Sequence, residues 1–100
     1  MIKHIVMWKL KEECEGNDKI YNSLEIKKKI EALKDKIEVI RDIEIGINFE
    51  ESNQAYDVVL YSVFDSKEDL DYYQKHKEHI KVGTFIKKVA QSRIVVDYEV

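Results

Sequence analysis

Two histidines and one tyrosine carry the side chains best suited to chemistry in this chain. Tyr73 and His79 lie close together in the segment YYQKHKEH, and His4 lies near the start of the chain. Because histidine titrates near neutral pH, a positioned imidazole can take a proton from a carbon next to a carbonyl. A tyrosine hydroxyl can hold or protonate the enolate oxygen that develops. Such a set suits cofactor-free cyclisation of the aldol type, or isomerisation, of a poly-oxo substrate.

The same residues also have a structural interpretation, which the sequence leaves open. His4 can hydrogen-bond within a sheet, and His79 can cap a helix end, where the helix dipole favours its charged form. The pair His76 and His79 can chelate a metal if one helix continues through both, but further ligands are not evident and no metal site is predicted. Cys14 has a glutamate on each side, which disfavours its thiolate, so we expect no role for it.

Composition and charge exclude several classes of protein. The 100 residues form one domain, 1–100, with a formal net charge of −3, which argues against a nucleic-acid partner. No apolar run approaches the length of about 20 residues that crosses a membrane. The opening MIKHIVMWKLK is interrupted by lysines, so no signal peptide is predicted. A single cysteine suits a reducing compartment, and the expected location is the cytoplasm.

The elements of the first half follow from hydrophobic periodicity. Alternation predicts a strand over Ile2–Lys11, with His4 on its more apolar face. An apolar stripe at helical spacing predicts a helix over Lys19–Lys36. The strand Val39–Phe49 has one polar side and is placed near a sheet edge. The strand Ala55–Phe64 is apolar on both sides and is placed centrally, and it lacks the basic pattern of RNA-recognition modules.

The second half is expected to hold one helix, a shorter helical piece and a final strand. Ser66 begins a capping-box pattern that starts the helix. Regular helix is expected to weaken over His79–Gly83, because glycine is a common C-terminal stop. A short helical piece is predicted over Thr84–Val89, and the last strand over Ser92–Val100.

This order, β-α-β-β-α-β, predicts an α+β ferredoxin-like fold: a four-stranded antiparallel sheet with the helices on one face. The other face would carry residues such as Tyr61, Trp8 or Met7, depending on register. A sheet face of that size and polarity is unusual in a monomer. We therefore expect a twofold homodimer, sheet against sheet, that encloses an interior as a dimeric α/β barrel.

Two blocks of sequence resemble the stress-responsive dimeric α/β-barrel domain family. They are IKHIVMWKLK and the closing half, with its patterns Y-x-x-H-x-x-H, F-I-x-x-V-A-x-S-R and V-V-D-Y. Most members of that family have no assigned reaction. In one branch, the plant polyketide cyclase that makes olivetolic acid, a histidine matching His79 is the base. A tyrosine matching Tyr73 assists it there, and a histidine matching His4 lies in the same pocket. Lys77 departs from the family, which often has proline at this position.

The sequence therefore predicts a cytoplasmic homodimer that binds an apolar or aromatic small molecule. Its acid/base site would comprise His79, Tyr73 and His4, with no cofactor. The alternative is a non-catalytic, stress-responsive or ligand-carrying dimer. The aromatic residues can line a cavity or form plain core and dimer interface, and the pattern leaves this open. These aromatic residues are Trp8, Tyr56, Tyr61, Phe64, Tyr73, Phe85 and Tyr98.

Overall fold

The computed structural model of the chain describes residues 1–100 and contains a four-stranded antiparallel sheet. A two-stranded hairpin accompanies it. The strands are β1 (Ile2–Leu10), β2 (Glu13–Cys14), β3 (Asn17–Asp18), β4 (Asp42–Ile47), β5 (Val58–Phe64) and β6 (Ala90–Glu99). In the larger sheet the spatial order is β4-β5-β1-β6, so β4 is an edge strand and β5 is central, as predicted. The α+β ferredoxin-like fold is thereby confirmed.

The helices cover one face of this sheet and bury a core of 17 hydrophobic residues against it. They are α1 (Lys19–Glu31), a 3-10 turn (Ala32–Asp35), α2 (Lys67–Lys75) and α3 (Lys77–Val89). The predicted cap is confirmed, because the Ser66 hydroxyl accepts a hydrogen bond from the Asp69 amide at the start of α2. None of these helices is both long and apolar enough to span a bilayer.

The predicted weakening of helix over His79–Gly83 is wrong. The chain breaks earlier, at His76, where the backbone is extended (φ −67°, ψ 139°). The His76 imidazole then caps α3 by accepting the Glu78 amide, at 3.1 Å from Nδ1. From there α3 continues unbroken through Gly83 to Val89. A glycine inside a helix costs only about 1 kcal/mol, less than the burial of the apolar side chains on the last turns contributes.

Other element boundaries differ because apolar residues in loops imitate strand and helix patterns. The first helix ends as a 3-10 turn, and β4 begins only at Asp42. The intervening Ile37 and Ile40 are buried although they lie in irregular chain, so they extend the apolar pattern without extending the strand. At the other end, Phe49 is 98% exposed and lies outside β4.

The register places the candidate residues on the covered face of the sheet. His4 and Trp8 share this inner face, and both are buried. The sequence allows Trp8 on the uncovered face of the sheet. This prediction is wrong, because Trp8 is buried on the covered face. The outer, uncovered face carries Met7 opposite Ile94 and Tyr61 opposite Ile5.

Candidate active site

The junction between α2 and α3 positions the tyrosine and the first histidine. Tyr73 lies near the end of α2 and is fully buried, with its ring 4.9 Å from that of Phe64 between centroids. Because the chain turns at His76, His79 falls in the first turn of α3. The Tyr73 and His79 ring centroids are 4.5 Å apart and the rings are tilted by 59°. The structure therefore brings these two predicted residues into contact.

The third predicted residue, His4, approaches the same place from the sheet. It lies on the inner face of β1, with 2% of its surface exposed, and its ring centroid is 6.3 Å from that of Tyr73. The register places Asp97 of β6 directly opposite, and Asp97 Oδ1 is 2.5 Å from His4 Nδ1. A carboxylate at Nδ1 favours the tautomer with its proton there, so that Nε2 is the basic nitrogen.

Asp97 is the residue of the site that the sequence alone did not identify. Its signal is an acidic residue inside the apolar run IVVDY, at an inward-facing position of the last strand. Recognising it requires the β1–β6 register, because only the pairing of His4 with Asp97 makes the two side chains neighbours.

A cavity of about 270 Å³ lies between the inner face of the sheet and α3. His4 and His79 both line it, whereas Tyr73 does not, so the tyrosine lies behind the imidazoles. Of the seven aromatic residues, only Trp8 lines this cavity, and Phe64 and Tyr73 belong to the core. The lining residues are His4, Val6, Trp8, Ile30, Leu60, His79, Gly83, Ile86, Lys87 and Arg93.

The surroundings of His79 disfavour its charged form. Burial lowers the pKa of the imidazole below its ordinary value of 6.5, and the neighbouring His4 and Arg93 act in the same direction. The Gln74 backbone acts in the opposite direction. The position of His79 in the first turn of a helix also opposes a second proton. His79 Nδ1 is buried and has no hydrogen-bond partner.

Tyr73 presents a second unpaired polar atom. Its hydroxyl is buried and has no hydrogen-bond partner, and burial raises the pKa of the phenol. The hydroxyl therefore keeps its proton at neutral pH. A neutral imidazole next to a protonated phenol is the ionisation state that a base and an assisting acid require.

The helix-capping role that the sequence allows for His79 is filled by His76 instead. The cap belongs to His76, whose ring also packs on Tyr72 at 5.7 Å, and not to His79. Since α3 begins after His76, the pair His76 and His79 does not share one helix. No group of three or more His, Cys, Asp or Glu side chains is placed to hold a metal ion. Cys14 Sγ donates to the Lys88 carbonyl at 3.2 Å.

The architecture defines a class: ferredoxin-like α+β domains with a cavity between sheet and helices. Within that class, the chain belongs to the stress responsive A/B barrel domain family, whose profile matches residues 2–100. No curated protein matches the sequence significantly.

Several solved structures share the fold over nearly the whole chain. A dimeric protein of unknown function with a ferredoxin-like fold, from Bacteroides fragilis, is 38% identical (TM-score 0.87; 99% of this chain and 95% of that one covered). An Arabidopsis thaliana protein is 24% identical (TM-score 0.83; 100% and 95% covered). The hydroxynitrile lyase of Passiflora edulis is 13% identical (TM-score 0.82; 99% and 92% covered), a level of identity that shows likeness of fold alone.

Proposed function

We propose that this protein binds an apolar or aromatic small molecule in the cavity lined by His4 and His79 and catalyses cofactor-free acid/base chemistry on it. The observation that carries this proposal is the imidazole of His79, which lines the cavity and whose Nδ1 is buried without a hydrogen-bond partner. A buried polar atom without a partner costs about 1–3 kcal/mol. A carbonyl or hydroxyl of a ligand in the cavity would supply a partner for the His79 imidazole, whereas the Tyr73 hydroxyl lies behind the cavity wall.

The roles follow from the ionisation states and positions. Neutral His79 is the general base, which takes a proton from a carbon flanked by carbonyls. The resulting carbanion attacks a second carbonyl of the same substrate molecule, and a carbon–carbon bond forms. The protonated His79 then returns this proton to the alkoxide oxygen. Loss of water then completes an aldol-type cyclisation. His4, held by Asp97 with Nε2 as its basic nitrogen, is a second proton acceptor of the cavity. Tyr73 assists through the imidazole it packs against, because it lies outside the cavity lining.

We also propose that the protein is a homodimer formed through the outer face of the sheet. This face exposes apolar side chains that the helices do not cover: Met7, Ile94, Val96 and Tyr98 are 37–53% exposed. Similar proteins from Bacteroides fragilis and Thermobifida fusca are described as dimeric. Burial of such a patch against a second copy would remove an apolar surface that a monomer seldom tolerates.

The test of the reaction is turnover of a linear poly-β-oxo acid and of its thioester, followed by chromatography of the aromatic product. His79→Gln should lower kcat by about 10²–10⁴-fold, the usual contribution of a general base. The matched control is His76→Asn, which removes a neighbouring imidazole but keeps a side chain able to cap α3. It should retain activity, and circular dichroism should show both variants folded.

Equal turnover by the wild-type protein and His79→Gln would refute the catalytic role. The alternative function, a non-catalytic ligand-carrying dimer, is favoured by the position of Tyr73 behind the cavity wall. Ligand binding without turnover by the wild-type protein would support that alternative.

A further inference from the structure

Two cationic side chains line the cavity beyond the imidazoles, and no acidic residue lines it. Lys87 lies on α3, two turns after His79, and Arg93 lies on β6 directly opposite Trp8 on the inner face. These residues come from different elements, and both line the cavity. The arrangement places a net positive charge where a ligand would bind.

Neither cation is neutralised within the chain. The ion pairs of the protein engage eight other lysines and arginines, all at other sites, and neither Lys87 nor Arg93 is among them. Asp97, the acidic group on the same strand as Arg93, is held by His4. Asp97 is four residues further along β6 than Arg93, which corresponds to about 13 Å of extended strand. Asp97 is therefore not placed to neutralise Arg93.

A second, shallower cavity of about 220 Å³ adjoins the first. Lys87 and Arg93 line both cavities, so they lie on the boundary that the two cavities share. Gln91 and Ser92 add an amide and a hydroxyl to the second cavity. An anionic group at the junction would thus find two cations and neutral hydrogen-bonding groups.

We propose that Lys87 and Arg93 form a carboxylate-binding subsite, and hence that the ligand of this protein is an oxo acid. The proposal rests on the proposed function, since it deepens the description of the same cavity. A guanidinium matches the two oxygens of a carboxylate, and an ammonium adds a point charge. The carboxylate lies between Lys87 and Arg93, and the carbonyl-bearing part of the ligand extends toward His79.

The test compares two probes that differ by one negative charge and one methyl group: 4-oxo-4-phenylbutanoate and its neutral methyl ester. Calorimetric titration at neutral pH and low ionic strength gives the two dissociation constants. Histidine ring signals in proton NMR, assigned with His79→Gln, report whether each probe reaches the cavity. The variants are Lys87→Met and Arg93→Gln. The matched controls are Lys88→Met, which removes the adjacent charge outside the cavity, and Arg41→Gln, an exposed arginine elsewhere.

The acid should bind the wild-type protein at least about tenfold more tightly than the ester, as a charge-assisted contact allows. Lys87→Met and Arg93→Gln should each weaken acid binding by about tenfold and leave ester binding within about twofold. Added salt should weaken only the acid.

Equal affinity for acid and ester, with the His79 signals shifted by both, would overturn the carboxylate subsite and leave the proposed function intact. An equal loss of acid binding in Lys88→Met and Lys87→Met would also overturn it, since general charge would then explain the effect. Failure of both probes to bind or to shift the His79 signals would count against the ligand cavity itself and against the subsite with it.

Discussion

Substitution of Gly83 by alanine tests the course of α3 through the site. If α3 is continuous from Lys77 to Val89, Gly83 is an interior helical residue, and a Cβ there meets no heavy atom within 4 Å. Alanine should then stabilise the fold by about 0.5–1 kcal/mol, because it loses less backbone freedom on folding. If the helix instead ended at Gly83 in a left-handed conformation, alanine would destabilise it.

Thermal unfolding measures this sign directly. For a domain of about 100 residues, about 1 kcal/mol shifts the midpoint by about 4–8 °C, so Gly83→Ala should raise it by about 2–8 °C at matched protein concentration. Gly16 is the matched control. Its Cβ would also meet open space, but its φ of +77° penalises any side chain, so Gly16→Ala should cost about 1–2 kcal/mol. A lower midpoint for Gly83→Ala would refute the continuous helix and the position it gives His79.

Three further predictions concern the site and the outer face. Tyr73→Phe removes a buried hydroxyl that has no partner, so urea unfolding should show a free energy of unfolding that is unchanged or higher by about 1 kcal/mol; a clear loss would reveal a hidden partner. Because the folded pKa of His79 lies below the ordinary 6.5, the unfolded chain binds more protons. The contribution of His79 to stability should therefore be complete above that value and fall as the pH falls below it, an effect that His79→Gln should abolish. Met7→Lys on the outer face should shift sedimentation from dimer toward monomer, whereas Ile20→Lys on exposed α1 should not; a monomeric wild-type protein at micromolar concentration would contradict the proposed dimer.

Hydrophobic periodicity was enough to predict the strands of the sheet, because the covered and uncovered faces differ clearly in burial. In β1 the alternate positions Ile2, His4 and Val6 are buried while their neighbours are more exposed, which is the pattern that alternation predicts. The edge position of β4 and the central position of β5 followed from the same reasoning. The start of α2 was also predictable from the sequence, because the Ser66 side chain caps it through a hydrogen bond from the Asp69 amide, three residues away.

The break between α2 and α3 could not be predicted from local signals. Glycine was the strongest stop signal in the segment, yet the chain turns at His76, whose side chain competes for the first amides of α3. Packing of Ile86 and Val89 in the core then holds the helix through Gly83. At this point, burial of apolar side chains in the core outweighs the local tendency of glycine to end a helix.

For the candidate site, the residue types were predictable and their neighbours were not. Tyr73, His79 and His4 were named from their chemistry and from a family resemblance. The pairing of His4 with Asp97 depends on strand register, and the exclusion of Tyr73 from the cavity depends on how α2 packs. Lys87 and Arg93 do not belong to the histidine motif of the sequence. Only the fold places them in the same cavity as His79.

The most direct test of the account is the titration of His79 followed by proton NMR. The proposed base is a partly desolvated, neutral imidazole beside the cavity, so His79 should titrate with a midpoint below 6.5. His79→Gln assigns the signal by its loss. A midpoint at or above 6.5 would show a solvated or charge-paired imidazole and would contradict the role of His79 as the neutral base of this site.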